Sequence, residues 1–126
     1  MARNPTPVCN TQLQENEIFV FGSNLYGMHG GGAARTAHQQ FGAEWGVGVG
    51  PTGKCYAIPT MHGGIDTIKP YVDDFITYAK EHTNQHFYVT RIGCGIAGYN
   101  PGQIAPHFKN HPENVILPEA FIKALK

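Results

Sequence analysis

Charge is scarce in this 126-residue chain: Asp, Glu, Lys and Arg make up 14% of it, nine acidic against nine basic side chains. With a formal net charge of zero and no basic run, it lacks the electrostatic footprint of a nucleic-acid or membrane-surface binder. No apolar stretch approaches the roughly 20 residues that span a bilayer. The opening Met-Ala-Arg-Asn-Pro lacks the apolar region of a secretory signal, so a cytoplasmic protein is the expectation. Cysteine is sparse as well. Cys9, Cys55 and Cys94 are scattered with no C-x-x-C pair, which argues against a zinc ribbon or a disulfide framework. Reduced thiols, at least one of them buried, are the expectation. The length fits one domain over 1–126, with a polar, aperiodic lead-in over 1–16.

Glycine is what the chain has in quantity. Its 16 glycines cluster at 22–32, 42–53, 63–64 and 93–102, always beside an apolar run, which fits loops at strand ends better than a linker. The central stretch is 17–38, E-I-F-V-F-G-S-N-L-Y-G-M-H-G-G-G-A-A-R-T-A-H. Ile18 to Phe21 read as a strand buried on both faces. Gly22-Ser23-Asn24 then turn the chain, Gly30-Gly31-Gly32 follow, and Ala33 onward favours helix. Strand, glycine loop and helix start together make an anion site. Glycines let the backbone come close with bare N–H groups, and the positive end of the helix dipole favours phosphate.

Further elements alternate. Helix is expected over 31–41, strand over 54–58 and a long helix over 66–82 with Asp66 as its N-cap and Pro70 in its first turn. Ile68, Tyr71, Val72, Phe75, Ile76 and Ala79 give that helix one apolar face, and Asp73-Asp74 lie on its solvated side. A strand over 87–92 runs into Gly93-Cys94-Gly95-Ile96-Ala97-Gly98-Tyr99, and 42–53 reads as a loop. A short helix over 101–109, a strand over 114–117 and a helix over 118–125 complete the order. Alternation of this kind implies an α/β fold with a mostly parallel sheet and helices on both faces. Ligands of such sheets bind beyond the carboxyl ends of the strands, where both glycine loops fall.

The two loops resemble the macrodomain family. Asn24 stands five residues before His29-Gly30-Gly31-Gly32-Ala33-Ala34, similar to the family's N-x-x-x-x-H-G-G-G-V-A after a buried strand. Arg91-Ile92-Gly93-Cys94-Gly95 looks like the branch that removes terminal ADP-ribose from acidic side chains. The resemblance covers 17–121 in order of elements and the two loops in motif. It implies a three-layer macrodomain-like fold that binds ADP-ribose or an ADP-ribosylated substrate. By resemblance, Asn24 bonds the distal ribose, and Gly22, Ser23, Gly30, Gly31, Gly32 and Ala33 surround that ribose and the diphosphate. Gly93, Cys94, Gly95, Ile96, Ala97, Gly98 and Tyr99 wrap the diphosphate from the other side. Asn24 and His29 are the catalytic candidates, orienting the sugar while a phosphate-positioned water attacks.

The chain departs from the family at the groups that carry turnover. Ala34 stands where many hydrolases have an acidic residue, and Ala97 where the R-I-G-C-G branch has an aspartate. Thr60 is the nearest match to that branch's lysine, and 1–16 holds no counterpart of the adenine-reading aspartate. Binding is therefore better supported than hydrolysis. The alternatives are a non-catalytic nucleotide sensor or sponge, and a module for another phosphate ligand. No cofactor, no membrane partner and a monomer are expected. Gly48 to Lys54 mimic a Walker A loop, but Cys55 replaces the magnesium-binding Ser or Thr and a strand follows rather than a helix. A metal on His29, His62 and Cys94, or a Cys94 nucleophile, is weaker than a small residue filling a crowded loop. Trp45 and Phe121 either stack on adenine or pack the core, with packing favoured.

Overall fold

The computed structural model describes residues 16–27, 32–61, 63–94 and 98–125. Five strands form one mixed sheet: β1 Glu17–Ser23, β2 Gly50–Thr52, β3 Cys55–Pro59, β4 His86–Val89 and β5 Val115–Ile116, in the order β2-β3-β1-β4-β5. β1 pairs parallel to both β3 and β4, β4 pairs parallel to β5, and β2 is antiparallel to β3. The helices are α1 Gly32–Gln40, α2 Lys69–Glu81, α3 Pro101–Ile104 and α4 Glu119–Ala124, with 3-10 turns at Ile65–Thr67 and Ala105–Phe108.

β1 lies at the centre because its residues are apolar in both directions. Side chains alternate along a strand, so Phe19 and Phe21 join Cys55, Ala57, Ala34, Ala37 and Phe41 in one cluster. Ile18 and Val20 join Tyr56, Ile58, Phe87 and Val89 in the other, with Val72 and Phe75 of α2, Ile104 of α3 and Phe121 of α4. The first cluster thus holds α1 against one face of the sheet, and the second holds α2, α3 and α4 against the opposite face. No helix among the described residues is long and apolar enough to cross a membrane.

Several boundaries differ from the sequence expectation, each for a local reason. The long helix starts at Lys69, and Asp66 caps nothing: it lies in the preceding 3-10 turn, and α2 has no side-chain cap. Pro70 does sit in the first turn of α2. The strand expected over 87–92 ends at Val89. Thr90 still donates its N–H to the Val20 carbonyl (3.0 Å), but the Ile92 N–H then turns back to the Thr90 carbonyl (2.7 Å). The stretch 42–53 contains β2, whose Thr52 pairs with Cys55 across Gly53-Lys54. The Walker-like segment is therefore an edge strand and a tight hairpin turn, which leaves no helix start for a phosphate. In 101–109 an α-helical turn passes into 3-10 helix, and Asn100 supplies a capping box with Gln103. The lead-in over 1–15 lies outside the described residues, while the Asn16 carbonyl accepts from the His86 N–H (2.9 Å).

Candidate functional site

The sheet order creates a particular place at its carboxyl edge. From β1 the chain passes to β3 on one side, whereas β4 lies on the other side of β1. The segments leaving β1 and β4 lead to α1 and α3, which pack on opposite faces. Adjacent parallel strands whose connections diverge in this way open a crevice beyond their ends.

The first loop is anchored by β3 and by the 44–48 segment. The Ser23 carbonyl accepts the Thr60 N–H (2.9 Å), extending the β1–β3 ladder by one bond. The buried Ser23 hydroxyl donates to the Gly48 carbonyl. That bond commits it to fixing the loop. Asn24 begins a turn in which its carbonyl accepts from Gly27 (3.0 Å), and the Gly27 carbonyl accepts from Gly46 (2.9 Å). Gly32 and Ala33 open α1. His29, Gly30 and Gly31 lie outside the described residues.

The second loop is a closed bend. Gly93 has a left-handed φ of +74°, and an added Cβ there would stand 2.9 Å from Ile104 Cδ1. The left-handed φ favours glycine, whereas the Ile104 methyl is the far end of a flexible side chain and can shift. The Gly93 carbonyl accepts the Tyr99 N–H (2.8 Å), so the chain returns at Tyr99 to where it left, through Gly98 at φ +83°. The Tyr99 hydroxyl donates to the Gly63 carbonyl (3.2 Å), tying this loop to the one after β3. Cys94 is half-buried; desolvation pushes its thiol upward, and nearby Arg91 only partly opposes this. That environment disfavours a nucleophilic thiolate. Gly95, Ile96 and Ala97 lie outside the described residues.

The two loops meet. An added Cβ on Gly22 would lie 3.4 Å from the Gly93 nitrogen, 3.5 Å from Ile92 Cα and 3.4 Å from Thr60 Oγ1. Three segments from three adjacent strand ends thus converge on one bare Cα. The sequence reading joined the β1 and β4 loops and named Thr60 only as the nearest match to a family lysine, while Gly63 went unassigned; the signal for both was their place directly after the strand that ends in Pro59. The segments 22–24, 60–64 and 91–100 contain no Asp or Glu, so nothing acidic in them repels an anion. No group of three metal-ligating side chains occurs among the described residues; His62, like His29, lies outside them. The two aromatics part company. Phe121 is 0% exposed in the core, while Trp45 is 55% exposed, with His38 edge-on to its ring at 5.5 Å. Stacking on a ligand is closed to Phe121 and sterically open to Trp45.

No protein-family model matches this chain, and no curated protein or solved structure does either.

Proposed function

We propose that the chain is a macrodomain-like, three-layer α/β protein that binds ADP-ribose or a close relative, such as a cyclic or phosphorylated ADP-ribose. The observation that supports this most is the approach of Gly22 to Ile92-Gly93 at neighbouring parallel strand ends. A pyrophosphate needs several N–H donors from more than one direction, and neutral amides provide them without positive charge. This reconciles a dinucleotide ligand with a chain of zero net charge. Asn24, between the Ser23 anchor and the turn to Gly27, is the side chain assigned to the distal ribose.

Binding without turnover is the favoured form of this reading, because the loop segments carry no carboxylate to act as general base. The protein then acts as a monomeric cytoplasmic sensor or sponge. Calorimetry with ADP-ribose, NAD, ATP and nucleoside monophosphates tests it. ADP-ribose is expected to bind, and more tightly than the others. No heat with ADP-ribose at millimolar concentration sinks the proposal, and a stronger response to another phosphate ligand reassigns the loops. Release of ADP-ribose from a modified substrate, lost in Asn24→Ala, makes the protein a hydrolase instead.

A further inference from the structure

We propose that Trp45 and Tyr26 form the platform on which the adenine ring of the nucleotide stacks. This rests on the ADP-ribose reading above and deepens it by assigning the part of the ligand that glycine loops cannot recognise.

The large apolar side chains exposed among the described residues are Leu25, Tyr26, Trp45, Val49 and Met61, and all lie at one end of the sheet. Leu25 and Tyr26 follow β1, and Met61 follows β3. β2 is antiparallel to β3 and starts at Gly50 opposite Ala57, so Trp45 and Val49, which precede it, also lie towards the carboxyl end. The described helices expose no such side chain. Apolar residues exposed singly are ordinary. Gathered at the end where parallel sheets bind ligands, they mark a recognition surface.

Main chain brings the two aromatics together. The Gly46 N–H donates to the Gly27 carbonyl (2.9 Å), so Trp45 and Tyr26 each stand one residue before a member of that pair. A Cβ on Gly27 would collide with the Gly46 and Val47 backbone, and the Ser23 hydroxyl ties the same two segments by donating to the Gly48 carbonyl. Trp45 is nevertheless 55% exposed and Tyr26 73%. Aromatic rings on a fixed backbone lose little freedom when they stack.

The occupant follows from size, charge and reach. A stable protein interface draws on about 20–30 residues a side, whereas this patch offers a handful of apolar side chains. Glu44 is the only charge in 23–27, 44–50 and 60–61. One flat ring fits that scale, and aromatic faces stack on any base. The stretch 22–27 approaches the Gly93 backbone at its start and bonds Gly46 at its end. It spans at most about 18 Å, so one extended nucleotide can lie along it with phosphates at the glycine loops and base at the platform.

The test uses the full chain, whose sole tryptophan is Trp45, titrated separately with ADP-ribose, AMP and ribose 5-phosphate. Both adenine ligands are expected to quench the Trp45 emission, and ribose 5-phosphate is not. In calorimetry, Trp45→Ala and Tyr26→Ala are each expected to weaken ADP-ribose roughly tenfold, the scale of one base–aromatic stack. Trp45→Phe keeps a ring and is expected to retain most of the affinity. If an alanine variant does not fold, quenching of the wild type still decides. ADP-ribose binding with unchanged emission and Trp45→Ala at full affinity overturns the platform and keeps the nucleotide reading. Quenching by AMP, with ADP-ribose bound no better, keeps the platform and removes the ADP-ribose reading. Equal quenching by ribose 5-phosphate overturns the platform. So does emission that changes with protein concentration and with no base, which assigns the patch to a second copy of the chain.

Discussion

Gly48 lies flat against the Asn24 carbonyl: a Cβ added to Gly48 would stand 1.9 Å from that oxygen. The contact joins the turn after β1 to the segment before β2, and the Ser23 hydroxyl reinforces it by donating to the Gly48 carbonyl. The backbone of the proposed ribose-binding residue is thus held by a glycine 24 positions away in sequence. Since both partners are main chain, neither can yield without moving its loop.

Gly48→Ala is therefore expected to destabilise the fold by about 1–3 kcal/mol, as overpacking does, and to weaken any ligand that Asn24 contacts. Gly64→Ala is the control, because nothing lies within 4 Å of its Cβ position and its φ is ordinary. It should stay within about 0.5 kcal/mol of wild type. Urea unfolding of the two variants checks the contrast, and equal losses would refute it.

Asn114 terminates α2 from a distance. Its Nδ2 donates to the carbonyls of Ala79 (2.9 Å), His82 (3.1 Å) and Gln85 (3.1 Å), the first two of which also accept the backbone N–H groups of His82 and Gln85. Asn114→Ala should cost about 1–3 kcal/mol by removing the donor that ties the Ala79, His82 and Gln85 carbonyls together. Asn114→Asp turns a carboxylate toward the same oxygens and should be worse at neutral pH. Repulsion raises the folded carboxyl pKa, so its stability should recover as pH falls through the carboxylate range. A pH series of unfolding midpoints for both variants measures this.

Burial pushes the Cys55 thiol up to about 12 from its ordinary value of 9.0, and it sits among Phe41, Ala37 and Ala57. The unfolded chain then loses this proton first, so the stability linked to it is full below about pH 9 and falls as pH rises towards 12. Tyr56, likewise pushed up to about 12 mainly by burial, acts in the same direction. Cys55→Ala should lower the loss of stability between pH 8 and 11 without abolishing it. Alkylation mapped by mass spectrometry should leave Cys55 unmodified in the native protein and modify it in urea.

The two aromatics the sequence treats alike should separate sharply. Phe121→Ala opens a cavity against Phe108, 5.8 Å away between ring centroids, and should cost about 3–5 kcal/mol. Trp45→Ala removes a ring that is 55% exposed and should change stability by less than about 0.5 kcal/mol. Thermal unfolding ranks the pair. Because Trp45 is the sole tryptophan, its fluorescence also reports whether a ligand base reaches the 44–48 segment.

Much of the fold was legible because the relevant signals are local. The apolar run Ile18 to Phe21 declares a strand with two buried faces, and the spacing of Val72, Phe75, Ile76 and Ala79 declares one helix face. Pro70 and Pro101 mark helix starts through a fixed φ and a missing N–H. Where the reading erred, partners distant in sequence decided. β2 exists because Gly50 to Thr52 find β3 to pair with. The strand at β4 stops at Val89 because the chain folds back on itself at Ile92. Asp66 looked like a cap by residue type alone, but the 3-10 turn at Ile65–Thr67 intervenes before α2.

By itself the sequence determined an alternating α/β chain with glycine loops at strand ends, since periodicity and turn chemistry act over a few residues. Only the tertiary structure decided that β1 lies between β3 and β4. That order brings Gly22, Thr60 and Gly93 to one point, and it follows from which apolar faces bury one another rather than from any neighbouring residue. Side-chain chemistry is written in the chain, but the distance between two side chains is a property of packing.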